Sequence, residues 1–401
     1  MPQIFDTYYS SPGYSIEKSI YGFLKHFQSQ SDDYVFVNKI QSPTIILLHL
    51  DACYFIGRRT LLVVASHYNS SPGNKIVIDT SLESFINDRF YDALDVLIQK
   101  GVDPDDITVV TGENNINLFI KENNFPYNTI NINTFEISYY LHTLKHKIRN
   151  PKITDTHGTI IQPIKPRKLT KHFISYKKNS SRLRKLFHAH MKLTNLDNKG
   201  FYSWFATSPF IINNKIDLLI LDVIKENEDW WGDLVPRLNR PIRPNSFEEP
   251  FESFEWLLSK NVALGGGINL AHETHKPQMD DSLTIEEAKV NYSIFLTEKT
   301  YKNFAYGLPF INPGIPRSEE ALNGYNYKTW DSFFNTQIKH DSYVSCITSS
   351  IQLIDEIANM PLLELEEILN SEKSLNYLQH NQDVFLQQNQ FTKLVNELSK
   401  L

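Results

Sequence analysis

Apolar residues in this chain gather in short runs, separated by stretches where they return every third or fourth position. The first pattern predicts buried strands and the second amphipathic helices. On that basis "TIILLHLD" (44–51), "TLLVVAS" (60–66) and "KIVIDT" (75–80) read as strands. The next stretch, "LESFINDRFYDALDVLIQKG" (82–101), puts Phe85, Phe90, Leu94, Leu97 and Ile98 on one helical face, with Gly101 as its stop. "ITVVTG" (107–112) is a further strand and "NNINLFIKENN" (114–124) a helix. Beyond the Pro- and Lys-rich segment 160–171, a linker candidate, come the strand "HFISY" (172–176) and the helix "RLRKLFHAHMKL" (182–193). "IDLLILDVI" (216–224) is strand or helix by periodicity alone, and "FESFEWLLSK" (251–260) reads as a helix. Strands are expected at 267–274, 292–297 and 325–329, and short helices at 318–324 and after Asp331, which could cap the second. From 349 onward the pattern is helical.

Alternating strands and helices make this an α/β chain. At 401 residues it suits two domains and an extension: a Rossmann-like domain over 1–165, a second over 166–350, and C-terminal helices over 351–401. Two such domains facing a cleft would hold a ligand at the carboxyl ends of their strands. No GxGxxG accompanies the strands, so a dinucleotide is not implied.

Composition narrows the classes only a little. Hydrophobic residues are 41% and charged residues 21%, with net charge −6 and pI near 6.1, so bulk charge does not suggest a polyanion binder. Cys53 and Cys346 stand far apart outside any paired motif, which suggests a reducing compartment and no zinc site. The N-terminus lacks a basic and apolar leader, and no apolar stretch reaches membrane-spanning length. A cytoplasmic location is expected, the host cytoplasm if the protein is viral.

The candidate chemistry lies in "YSIFLTEKTYKNFAYGLPFINPG" (292–314). It reads as strand, turn and helix, with Thr297 or Glu298 at the helix start and Gly307 past its end. A helix start is a ready anion site, and Lys299 and Thr300 add a charge and a hydroxyl donor. A carboxylate beside phosphate needs another partner, and vicinal ribose hydroxyls would supply one. The set suits a nucleoside diphosphate, with Glu298 on ribose and Lys299, Thr300 and the helix amides on phosphate. The plain alternative is a capping carboxylate and two solvated side chains. Upstream, "INLAHET" (268–274) also ends in a carboxylate, Glu273, and two adjacent strands would bring Glu273 and Glu298 to one edge.

Here the chain resembles α1,3-fucosyltransferases, in which a strand ending Phe-Glu-Asn-Ser precedes Tyr-x-Thr-Glu-Lys and a later Pro-Val-Val-x-Gly. "LAHETH", "IFLTEKTYKNFAYG" and "LPFINPG" stand for the three parts, with Thr274 replacing Asn. It is more similar still to a group of viral and bacterial glycosyltransferase-like proteins with "TEKTxK…PF", here followed by "NGYNYKTWDSFF" and "HDSY". In "HFISYKKNSSRLRKLF" Arg184 stands where their helix arginine does, and Lys177-Lys178 replaces their Asn-Arg. The resemblance covers 170–345. It implies a GT-B fold, a nucleotide diphosphate sugar as donor co-substrate, and no metal or other cofactor. Lys177, Lys178, Arg182 and Arg184 would ring the diphosphate, with Thr297 beside it, and fixed positive charge would stabilise the departing group. The C-terminal helices would cross back to the first domain.

The acceptor hydroxyl needs a base from the first domain, and Asp79, Asp51 and Glu113 all follow apolar strands. Each also fits a turn or cap. "DPDD" (103–106) reads as a polar turn rather than a metal motif, and "HETH" lacks zinc spacing. "HAH" (188–190) reads as structural or surface, and "GGG" (265–267) as a close approach of the backbone to the ligand or a flexible turn. The run 165–192 holds ten Lys/Arg and no acid. It suits a diphosphate, a solvated face or DNA, so the acceptor is a glycan or, in the second reading, a hydroxylated DNA base. A Trp- and Pro-rich loop (228–256) suits a substrate lid. The third reading is a non-catalytic sugar-nucleotide or glycan binder.

Overall fold

The computed structural model describes residues 3–6, 20, 23–24, 35–37, 43–49, 58–80, 88–112, 125–134, 136–137, 140, 161, 163–177, 182–204, 266–271, 296–314, 317–340 and 343–401. The chain is α/β, built on two parallel sheets. One unit comprises Met1–His142, Phe295–Glu298 and Gln387–Leu401, and the other Thr143–Ile294 and Lys299–Leu386.

The first unit holds β1 (Gln3–Asp6), β2 (Val35–Phe36), β3 (Thr44–His49), α1 (Arg58–Tyr68), β4 (Lys75–Asp79), α2 (Asp88–Gln99), β5 (Ile107–Thr111) and β6 (Asn128–Asn131). Its six strands are ordered β2-β1-β3-β4-β5-β6, every pair parallel. Leu48, Ile78 and Val109 align across the sheet, and Ile46, Ile76 and Ile107 lie on the same face. Leu61, Val64 and Ala65 of α1 and Phe90, Ala93, Leu94 and Leu97 of α2 bury that face. Parallel strands are covered on both sides, which is why they read as unbroken apolar runs.

The strand expected at 60–66 is instead the body of α1. Leu61, Val64 and Ala65 point inward while Leu62 is 37% exposed, a helical period hidden in an apolar run. The parallel pair β3 and β4 needs such a crossover helix between them. The α2 helix ends as its sequence suggests, with Gly101 at φ 85°.

The second unit holds β7 (Lys171–Lys177), α3 (Arg182–Leu193), β8 (Gly200–Trp204), β9 (Gly266–Leu270), α4 (Glu298–Tyr306, its first residue counted with the first unit), β10 (Phe310–Ile311), α5 (Ser318–Gly324), α6 (Tyr343–Asn359), α7 (Leu362–Leu369) and α8 (Glu372–Leu386). Its strands are ordered β10-β9-β7-β8, all parallel. The order reverses at β7: β8 lies on one side, β9 and β10 on the other. Sheets of this kind take ligands at the carboxyl ends of the strands beside such a reversal. On one face Tyr202 of β8 stacks on His188 of α3, 5.8 Å between centroids. On the other, Ile174 and Phe201 pack against Tyr306 and Leu308 at the end of α4. Gly267 lies within β9, where a Cβ would be 2.1 Å from the His172 carbonyl oxygen, so what this glycine lets approach is the neighbouring strand β7.

Two expectations differ here. Of the strand expected at 292–297 only 296 and 297 are described, and they belong to no strand; β9 is flanked by β7 and β10. Residues 325–329 join no sheet. The Tyr325, Asn326 and Tyr327 N–H groups turn back to carbonyls of 321–323, and Asn381 of α8 accepts from the Lys328 N–H at 2.7 Å and donates to its carbonyl at 2.8 Å. After Asp331 only one 3-10 turn forms, Asp331–Phe333. The last helix, α9 (Asn389–Leu398), belongs to the first unit. Among the described residues no helix is long and apolar enough to cross a membrane. The expected elements at 114–124, 216–224 and 251–260, and the loop 228–256, lie outside the described residues.

Candidate functional site

The start of α4 is built from its sequence as expected. The helix begins at Glu298 and ends at Tyr306, and Gly307 follows at φ 57° with Leu308 N–H returning to the Asn303 carbonyl at 2.9 Å. Tyr301, Phe304 and Tyr306 are buried on its inner side, and the Phe304 ring stacks on Tyr327 at 4.0 Å. That aromatic core, continued by Phe310 and Trp330, fixes where the helix lies.

A chain of buried amides and a hydroxyl then fixes its first turns in the second unit. Asn269 of β9 donates through Nδ2 to Asn303 Oδ1. Asn303 Nδ2 donates to the carbonyls of Lys299 and Thr300 at 2.9 and 3.0 Å. The Thr300 hydroxyl donates to Asn312 Oδ1 at 3.2 Å, just past β10. All four residues are at most 5% exposed. Buried polar groups persist where they are hydrogen-bonded, and here they tie the helix start to the carboxyl ends of β9 and β10. A helix start carries a partial positive charge, and Lys299, half-buried, adds a full one.

The expected site residues are placed as follows. Thr300 is wholly buried and Thr297 is 6% exposed. Arg184 is 3% exposed on α3. Lys177 closes β7 and Arg182 opens α3, and their side chains, like that of Glu298, lie outside the described residues. Lys178, Glu273, Asp51 and Glu113 also lie outside them. Asp79 ends β4, is 1% exposed, and accepts the Ile20 N–H at 3.0 Å. Asp103 of "DPDD" caps a 3-10 turn by accepting from Asp105 N–H, as a polar turn should. His188 and His190 are both buried, bonded to the Tyr202 hydroxyl and to Asp355. Burial, with Asp197 adding repulsion, pushes the Tyr202 phenol well above its usual value, so it stays neutral.

Sequence reasoning passed over the asparagines. Asn269 sits in an apolar strand and Asn312 in an apolar-to-Pro turn, and a lone amide in such a run was the available signal. In the first unit Asn133 was missed too. It follows β6 and donates through Nδ2 to the Leu296 carbonyl at 3.3 Å, while its N–H reaches Gln390 Oε1 of α9 and its Oδ1 accepts from Glu136 N–H. The residues leading into α4 are thereby held by a side chain far away in sequence. Among the described residues no group of His, Cys, Asp or Glu could hold a metal ion. Comparison with protein-family models, with curated proteins and with solved structures found no match.

Proposed function

We propose that the chain is a glycosyltransferase of GT-B architecture that moves a sugar from a nucleotide diphosphate sugar to an acceptor hydroxyl. The donor diphosphate lies at the start of α4, with Lys299 and the first-turn amides on phosphate and Glu298 on the ribose. The observation that carries this reading is the anchored helix start at the carboxyl edge of a parallel sheet, next to the reversal of strand order. Thr300 then acts by holding that start, since its buried hydroxyl is engaged with Asn312. Glu273, Arg184, Lys177, Lys178 and Arg182 complete the donor set on the strength of the resemblance. The base comes from the first unit. Asp79 is buried and accepts a backbone amide, which counts against it as that base; Asp51 and Glu113 are the other two candidates.

The DNA-base reading draws less support from the basic run. Lys171 donates to the Asn198 carbonyl at 2.8 Å and Lys192 pairs with Asp197, so these two cations are engaged inside the unit, and Arg184 is buried.

The test is a thermal-shift panel of wild type and Glu298→Ala with UDP, GDP, CDP, dTDP and their common sugars, followed by donor-hydrolysis assays. A ligand at ~100 times its Kd stabilises by about 2.7 kcal/mol. A shift with one nucleotide, lost in the variant, supports the reading. Binding without any hydrolysis or transfer favours the non-catalytic relative. No shift with any nucleotide refutes the donor site.

A further inference from the structure

Three titratable side chains from three parts of the second unit meet beside α5. Glu319 lies in its first turn, Asp331 opens the 3-10 turn that follows, and His340 stands in the segment before α6. None of them belongs to the proposed donor site. Glu319 Oε1 accepts the Thr329 hydroxyl at 2.5 Å. Asp331, held protonated by burial and then by Glu319, donates to the same carboxylate and leaves the negative charge on Glu319. His340 lies between that carboxylate and the backbone. Its Nδ1 accepts the Arg317 N–H at 3.0 Å, so the proton of the neutral ring sits on Nε2. Turning the ring over would set a C–H against that N–H, so the contact fixes its orientation. Nε2 is closed off from solvent, has no hydrogen-bond partner, and lies 3.7 Å from Glu319 Oε2, just beyond hydrogen-bond reach. Arg317 stands at φ 60°, a left-handed backbone that a residue with a Cβ keeps only where it is held. Its guanidinium pairs with Glu320, 2.7 Å between Nη2 and Oε2, so its link to the ring is the backbone. Lys339, next to His340 in the chain, is exposed, and its N–H goes to Ser349 Oγ of α6.

We propose that His340 is a proton-driven latch on the start of α5: neutral, it holds the Arg317 backbone through Nδ1, and protonated, it closes on Glu319 through Nε2 and lets that backbone go. The second proton must enter at Nδ1, where it meets the Arg317 N–H donor to donor. The imidazolium then has a carboxylate within a small movement of Nε2. The ring, foremost, with Thr329 and Asp331, keeps Glu319 ionised below the usual carboxylate range against the opposing effect of burial. The two arrangements differ by one proton and exchange one partner for another, which is what a switch requires. The Arg317 bond is present at the upper end of the pH range and is lost as pH falls. Acid thus frees a left-handed residue in the connection that leaves β10 and enters α5.

The experiment follows the full chain across about pH 5–8, the range in which an imidazole changes charge. Hydrogen exchange of the amides of 317–324, expressed as protection at each pH, is read beside the ring nitrogen shifts of His340 in histidine-labelled protein. Wild type should show Nδ1 unprotonated at the upper end and both nitrogens protonated at the lower. Protection of the Arg317 amide should fall about fivefold between them, the loss of one hydrogen bond. His340→Asn keeps an oxygen where Nδ1 stood and cannot titrate, so its protection should not vary with pH. Glu319→Gln removes the charge on which the protonated ring closes, so the fall in protection should move to lower pH. A ring that stays neutral over the whole range, a proton found on Nδ1 at its upper end, or the same fall in His340→Asn overturns the inference. The wild-type ring shifts decide if neither variant folds.

Discussion

Asn303→Ala should loosen the start of α4 without unfolding the chain. The side chain lost is 0% exposed and is the acceptor for Asn269 Nδ2, which the variant leaves buried without a partner. An orphaned buried donor costs about 1–3 kcal/mol. The bonds to the Lys299 and Thr300 carbonyls add little, because those carbonyls keep their helical donors. Alanine's better helix propensity returns about 0.5 kcal/mol. The net is about 1.5 kcal/mol, or roughly a tenfold rise in the opening equilibrium of the helix. Hydrogen–deuterium exchange of the amides of 298–306 reads this directly. Asn303→Asp sharpens the test, since it keeps the acceptor for Asn269 but turns an oxygen toward two carbonyls. Its carboxyl must hold a proton to replace the lost donor, so its folded pKa is raised. Its stabilising contribution is fully present below the ordinary Asp value of about 3.9 and is lost as pH rises through the folded value. The aspartate variant should therefore approach wild type in acid and diverge at neutral pH. Exchange changed less than about threefold in Asn303→Ala, or an aspartate variant indifferent to pH, would refute the anchoring role.

Gly267→Ala should destabilise the second unit by about 3 kcal/mol or more, because the new Cβ meets backbone, 2.1 Å from the His172 oxygen, and β9 must part from β7; urea unfolding measures it. Asn381→Ala should cost about 1–2 kcal/mol in the same assay, since Lys328 loses both partners of its backbone and is only partly rescued by water. Asp331 is 5% exposed, and burial, then the neighbouring Glu319 charge and hydrogen bond, pushes its carboxyl well above the usual range. Its stabilising contribution is full below the ordinary Asp value and is lost as pH rises through the folded value. Asp331→Asn should thus raise the Tm most at neutral to alkaline pH and have the least effect in acid. Glu319 behaves oppositely: His340, 3.7 Å from its Oε2, and the hydroxyl of Thr329 lower its value against the opposing effect of burial. Its contribution is present above the ordinary Glu value and lost as pH falls through the folded one, so acid destabilisation should persist in Asp331→Asn.

Local patterns in the sequence determined the α/β class, the strands β3, β4, β5 and β7, the helices α2, α3 and α5, and for α4 a start at Thr297 or Glu298 and a stop before Gly307. Each depends on interactions within a few residues: an apolar period, a left-handed glycine, a polar turn. The apolar run 60–66 shows where that reasoning stops. Its period is ambiguous over seven residues, and only the need to cross from β3 to β4 in parallel makes it a helix. The same holds for 325–329, which opens in a turn with Asn326 left-handed and where the Lys328 backbone finds Asn381 instead of a strand. At the site, the sequence marked Glu298, Lys299 and Thr300 as a charged helix start, but tertiary structure alone decided what holds it. Asn269, Asn303, Thr300 and Asn312 are spread over more than forty positions, and Asn133 is farther away still. A hydrogen bond between distant residues leaves no periodic trace along the chain. It exists because folding removes water from amides that must then find one another, and the sheet order determines which of them meet.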